Sequence, residues 1–155
     1  MRLVIPGRGT YAIGHLVLDM NGTLGLDGEL IEGVAERLGR LGGDPRPVMI
    51  TADTHGGAAR AKDALGLESV VIAKGEEAEQ KLQFLRELGP ESAIAIGNGA
   101  NDTFMLKESA VGICVVGPEG ASTSALFAAD IVVTGICDAL DLVLHPQRLV
   151  ATLRR

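Results

Sequence analysis

Aromatic side chains are nearly missing: the 155 residues contain no Trp, one Tyr and three Phe. A core must therefore be built from Leu, Val, Ile and Ala. Cysteine is as scarce. Cys114 and Cys137 sit in apolar stretches, Gly-Ile-Cys-Val-Val and Gly-Ile-Cys-Asp. That argues against a disulfide framework and predicts two buried, reduced thiols. No apolar run approaches the ~18 residues that a membrane span needs, and Pro6-Gly7-Arg8-Gly9 interrupt the N-terminal stretch too early for a signal peptide. Basic charge is short: 14 Lys and Arg face 20 Asp and Glu, for a net charge of -6. A nucleic-acid surface usually needs a basic patch, so that class of partner is disfavoured. His15, His55 and His145 lie far apart and show no metal-ligand spacing. The expectation is a cytoplasmic protein that engages neither nucleic acid nor membrane.

Glycine and aliphatic residues are plentiful. There are 21 glycines, which imply many tight turns, and apolar residues make up 46% against 22% charged, which suits a globular chain. The length favours one domain spanning 1–155. Leu3-Val4-Ile5 and Thr10-Tyr11-Ala12-Ile13 flank a Pro-Gly-Arg-Gly turn and predict an N-terminal β-hairpin beside the next strand. Gly7-Arg8-Gly9 lacks the helix and the Lys-Ser/Thr pair of a phosphate loop, so it reads as a plain turn. Apolar spacing predicts helices over 29–41, 56–65 and 76–88, the first stopped by Gly42-Gly43. Strands are predicted over 16–18, 47–51, 69–73, 92–96, 111–116 and 130–133. A turn and helix follow over 118–129, and a helical tail over 137–153 is broken at His145-Pro146. Strands alternating with helices mean an α/β fold, a mostly parallel sheet covered on both faces. No interval leaves room for an inserted second domain.

The stretch from His15 to Leu24 organises the rest. An apolar strand ends at Asp19, and Asn21-Gly22 mark a turn. The second strand ends at Thr51, and the fourth runs into Gly97-Asn98-Gly99-Ala100-Asn101-Asp102. Parallel strands bring their carboxyl ends together, and open α/β sheets bind ligands at that edge. Asp19, Thr51 and the 98–102 loop should converge. Lys81 lies on the edge of the apolar face of its helix and is the candidate cation, with Lys74 as its rival.

Asp19-Met20-Asn21-Gly22-Thr23, then Thr51, then Lys81, then Gly97-Asn98-Gly99-Ala100-Asn101-Asp102, resemble the haloacid dehalogenase superfamily. More narrowly, they resemble the soluble relatives of the P-type ATPase phosphorylation domain. The resemblance covers residues 15 to about 135. It implies a Rossmann-like three-layer core with no cap domain and a Mg²⁺-dependent phosphatase. Asp19 would be the nucleophile and would carry an aspartyl phosphate. Gly22, Thr23, Thr51, Ala52 and Lys81 would hold phosphate oxygens. Mg²⁺ would lie among Asp19, Asn21, Asn98 and Asp102, with Asn101 supporting the loop. An uncapped site suits a large phosphorylated substrate, or a small one if a second subunit roofs the site.

Two positions depart from the family pattern. Most of its phosphatases have an Asp at position 21, the general acid that protonates the leaving group and then the base that activates water. Asn21 has no titratable proton, and losing such help typically costs about 10²–10⁴-fold in rate. Asn98 stands where the family has a metal-ligating Asp. Two of four expected carboxylates remain, so the reading is a phosphohydrolase with slow turnover. The alternative is a module that binds phosphate or a protein without turnover. A response-regulator receiver places its phosphorylated Asp after the third strand, where this chain has Ala73-Lys74.

Overall fold

The structure, a computed structural model, describes residues 1–52 and 57–155. Ten strands and seven helices are described: β1 (Arg2–Ile5), β2 (Gly9–Ala12), β3 (His15–Asp19), β4 (Gly25–Leu26), β5 (Glu29–Leu30), α1 (Val34–Leu41), β6 (Arg46–Thr51), α2 (Gly57–Leu65), β7 (Glu68–Val71), α3 (Glu77–Leu88), β8 (Ala93–Gly97), α4 (Thr103–Glu108), β9 (Val111–Val115), α5 (Thr123–Ala128), β10 (Ile131–Val133), α6 (Ile136–Leu144) and α7 (Pro146–Leu153). Six strands form one sheet in the order β10-β9-β8-β3-β6-β7. All its pairings are parallel. The α/β architecture expected from strand–helix alternation is the one observed.

β3 is the central strand, and Leu16, Val17 and Leu18 are wholly buried. Burial of each such side chain is worth roughly 1.5–3 kcal/mol. Because side chains alternate across a strand, Leu16 and Leu18 join one core with residues of α1, α6, α7 and the hairpin. Val17 joins the other, with residues of α3, α4 and α5. The sheet is thus the middle of three layers. The periodicity also places Asp19 on the side of Val17, the side that α3 covers.

The hairpin β1–β2 forms a separate two-stranded sheet. It does not extend the main sheet beside β3, because β6 and β8 already occupy both edges of that strand. Arg8 anchors it, 2.8 Å from Asp130 and donating to the Ala110 carbonyl at 3.1 Å. The helix expected over 29–41 is shorter. Asp27 and Gly28 both take positive φ, 53° and 82°, and make a two-residue turn joining β4 to β5. Residues 29 and 30 are therefore strand, and α1 starts at Val34. It ends as expected on Gly42, in the left-handed region. Cys114 is buried and free, but Cys137, expected buried, is half-buried and free, its thiol donating to the Glu32 carbonyl. Among the described residues no helix is long and apolar enough to cross a membrane.

Candidate active site

The register of the parallel sheet aligns the strand ends. Asp19 lies opposite Ile50, one residue before Thr51. Leu18 lies opposite Ile96, so Gly97 and the loop after it begin at the level of Asp19. Asp19, Asn21, Thr51, Ala52, Asn98, Gly99 and Asn101 line one open cleft of about 360 Å³. The carboxyl ends of three separate strands are brought together there, as the parallel pattern required.

Beneath this cleft lies a buried charge cluster. Lys81 is fully buried, and its Nζ donates to Asp19 Oδ1 and to Asp102 Oδ1, both at 2.6 Å. The placement follows from helix periodicity. Lys81 lies four residues before Leu85, so the two share the stripe of α3 that faces the sheet. Asp102 is also fully buried, and its Oδ2 accepts from the backbone N–H groups of Asn98 and Gly99, each at 2.9 Å. A Cβ on Gly97 would meet that carboxylate at 2.5 Å, so only glycine admits it. Asp102, expected as a metal ligand, thus has both oxygens engaged with Lys81 and the loop, and the cleft lining does not include it. Lys74, the rival lysine, stands on the cleft wall instead.

Thr23 is fully buried and does not line the cleft. Its hydroxyl has two acceptors, Asp19 Oδ2 at 3.1 Å and Asn98 Oδ1 at 3.2 Å, and one proton to share between them. Gly22 lines an adjoining apolar hollow rather than the cleft. Asn101 donates to Glu77 Oε2 at 2.9 Å, which ties the loop to the start of α3. Asp27 is not among the cleft residues. Asp53, a candidate turn partner of Thr51, and His55 lie outside the described residues.

The electrostatics are unbalanced. Two carboxylates share one ammonium in a site shielded from water. Burial first, and then the charge of Asp102, push Asp19 from 3.8 up to about 7, against the pull of Lys81 and Thr23. Burial works against the Lys81 ammonium, but the two carboxylates outweigh it and hold its pKa above the ordinary value. A cation next to Asp19 would relieve that excess negative charge. The available donors are oxygens: the Asp19 carboxylate, the Asn98 side-chain carbonyl and the backbone of the turn at Asn21. Among the described residues no three His, Cys, Asp or Glu side chains form a ready-made cage. Such a set fits Mg²⁺, which prefers oxygen, keeps several waters and needs few protein ligands.

Two further cleft residues, Glu77 and Glu119, carry charge that motif spacing did not single out. Glu119 sits in Gly117-Pro118-Glu119-Gly120, directly after β9 at the same carboxyl edge of the sheet. That position is the signal by which it was available from sequence.

No family model matches the chain. The chain is 50% identical over 84 residues to the uncharacterized protein MJ0073 of Methanocaldococcus jannaschii, a match covering 52% of this chain and 90% of that one. Among solved structures it resembles the 3-deoxy-D-manno-octulosonate 8-phosphate phosphatase of Moraxella catarrhalis, crystallised with magnesium, phosphate and its sugar acid. The TM-score is 0.68 at 19% identity, with 93% of this chain and 95% of that chain covered. The cobalt-bound phosphatase from Haemophilus influenzae gives a TM-score of 0.70 at 14% identity, covering 93% and 94%. A putative haloacid dehalogenase superfamily hydrolase of Legionella pneumophila gives 0.68 at 18% identity, covering 92% and 88%.

Proposed function

The chain belongs to the family of the Methanocaldococcus protein MJ0073 and has the haloacid dehalogenase fold, and on that premise we propose that it is a Mg²⁺-dependent phosphatase working through a phosphoryl group carried on Asp19. The observation that carries this reading is the wholly buried Lys81, bonded at 2.6 Å to Asp19 at the base of an open cleft. A buried lysine with no chemical purpose is costly. Here it orients a carboxylate whose other side meets the cleft. The phosphatases with which the chain shares its fold act on phosphorylated small molecules.

In this reading an Asp19 oxygen attacks phosphorus. The new O–P bond forms as the bond to the substrate oxygen breaks, and the electron pair leaves with that oxygen. Water then attacks phosphorus, releases inorganic phosphate and restores the Asp19 carboxylate. Lys81 holds Asp19 in place and offsets negative charge as the phosphoryl group approaches. Thr51 and Ala52, on the cleft wall beside Asp19, receive phosphate oxygens. We assign Asp102 to holding Lys81 and the 98–99 amides rather than to the metal. The metal would be held by Asp19, the Asn21 carbonyl and Asn98, and when bound it supplies positive charge for the transferring phosphoryl oxygens. Asn21, on the cleft wall, can donate a hydrogen bond but no acidic proton, so leaving groups of low pKa are favoured.

Hydrolysis of an aryl phosphate with and without Mg²⁺ tests this. Metal-dependent turnover that disappears in Asp19→Asn is expected, and turnover that survives the change overturns the role of Asp19. The amides at 21 and 98 favour a second reading, a module that binds phosphate without turnover. That module would bind inorganic phosphate and hydrolyse nothing.

A further inference from the structure

The amide at position 98 has a structural counterpart on the other side of the cleft. Asn98 Nδ2 donates to the Gly120 carbonyl at 3.2 Å, and the Asn98 backbone carbonyl accepts from the Ser122 backbone N–H at 2.8 Å. The loop between β9 and α5 is thereby tied at Gly120 and Ser122, the C-terminal end of a tight turn closed by Gly120 N–H on the Gly117 carbonyl at 2.8 Å. An Asp at position 98 has no donor and could not make the contact to Gly120. The orientation of the amide is set by its surroundings. The opposite assignment would put an amide oxygen against the Gly120 carbonyl, two acceptors with no proton between them.

The clamped loop carries Glu119 into the cleft that Asp19, Asn21 and Asn98 line. Its carboxylate stands over the nucleophile turn. A Cβ placed on Gly22 would meet Glu119 Oε2 at 2.6 Å and Asn98 Nδ2 at 2.5 Å, so the two side chains crowd one point above Gly22. Gly22 also has φ of 75°, which a side chain at that position would resist. The turn, the amide and the carboxylate therefore form a unit. Asn98 gives up a charge at its own position and uses its N–H₂ to hold a loop whose glutamate restores one close by.

We propose that Glu119 is a metal-site residue: it supplies to the Mg²⁺ bound at Asp19, directly or through a bound water, the carboxylate that Asn98 does not carry, and Asn98 positions it. This rests on the metal-dependent reading above. Glu119 is exposed, so it approaches from the solvent side, while Lys81 and Asp102 confine Asp19 from below. A carboxylate added there raises the charge of the oxygen donor set and with it the affinity for a divalent cation. The same carboxylate would oppose a phosphate anion bound without metal, which orders the binding: metal first, phosphate second.

The test measures Mn²⁺ binding by electron paramagnetic resonance, Mn²⁺ being an oxygen-preferring stand-in for Mg²⁺. It uses the metal-free full chain, Glu119→Gln, and Glu119→Gln combined with Asn98→Asp. Glu119→Gln is expected to weaken binding at least about tenfold with the melting temperature of the metal-free protein unchanged. Adding Asn98→Asp should recover most of the loss by returning the charge to position 98. Wild-type binding with Glu119→Gln equally tight, within about twofold, overturns the proposal and leaves the metal reading standing. Absence of Mn²⁺ binding by the wild type overturns the metal reading itself, and this proposal with it.

Discussion

At the scale of single residues, two carboxylates on one buried ammonium make the stability of the metal-free protein depend on pH in a definite direction. Asp19 is pushed up from 3.8 to about 7, by burial first and the charge of Asp102 second. Between those values the unfolded chain has lost the Asp19 proton while the folded chain keeps it. The folded state binds more protons, so stability falls as pH rises through that window and levels above about 7. Thermal unfolding in a chelating buffer should show this fall in the wild type and a smaller one in Asp19→Asn, which should also melt higher than wild type above about pH 7. Equal slopes in the two proteins would remove Asp19 as the cause. Asn21→Asp is expected to raise kcat on a poor leaving group by about 10²-fold or more, the range that general acid help supplies. An unchanged kcat in the folded variant would mean that proton transfer does not limit turnover. That Asp19, Asn21, Thr51 and Asn98 would meet, with Lys81 beside them, was readable because each sits at a strand end or on a helix stripe that periodicity defines. Asp102 was read as a metal ligand, not as the second anchor of Lys81. Its contacts depend on how the 98–102 loop folds back over Gly97, which spacing alone does not specify.

At the scale of elements, α3 and α4 hold the site from one side of the sheet. Lys81 leaves α3 at a fully buried position. Lys81→Met would leave Asp19 and Asp102 facing each other without a cation. The expected loss is about 3–5 kcal/mol at neutral pH, partly recovered in acid as Asp19 takes a proton; denaturant titration at two pH values measures it. α4 is seated by Gly112 of β9, where a Cβ would stand 2.1 Å from the Leu106 carbonyl. Gly112→Ala must push α4 outward, at about 1–3 kcal/mol by the usual scale of overpacking. Because Asp102 immediately precedes α4, the same change should lower kcat as well as the melting temperature. A loss of stability with unchanged kcat would separate the helix from the site. Helix and strand types were legible from periodicity, whereas the start of α1 was not. The apolar pattern over 29–41 suits a helix, but Asp27 and Gly28 take a turn with positive φ at both residues and commit the next two to β5. Local turn chemistry overrode the helical stripe there.

At the scale of the whole molecule, the strand order β10-β9-β8-β3-β6-β7 puts the Asp19 strand near the centre, with the end of β6 and the loops after β8 and β9 around it. Strand–helix alternation made the parallel sheet and its active edge readable. It did not reveal that the N-terminal hairpin stands apart from that sheet, because the partners of β3 are decided by the later strands β6 and β8. It put Glu119, directly after β9, at the same carboxyl edge, but did not show that its carboxylate would reach the turn at Gly22. Contacts of that range are set by the packing of β9 beside β8. The cleft is open to solvent on one side, with Lys81 and Asp102 closing the other. The proposed function stands on phosphorylation of Asp19 itself. The most direct measurement is mass spectrometry of the protein acid-quenched during turnover of an aryl phosphate with Mg²⁺. The account predicts one added phosphoryl group on the peptide containing Asp19, acid-stable, released by hydroxylamine, and absent without metal and in Asp19→Asn. Hydrolysis with no covalent phosphate on that peptide, and at an undiminished rate in Asp19→Asn, would contradict it.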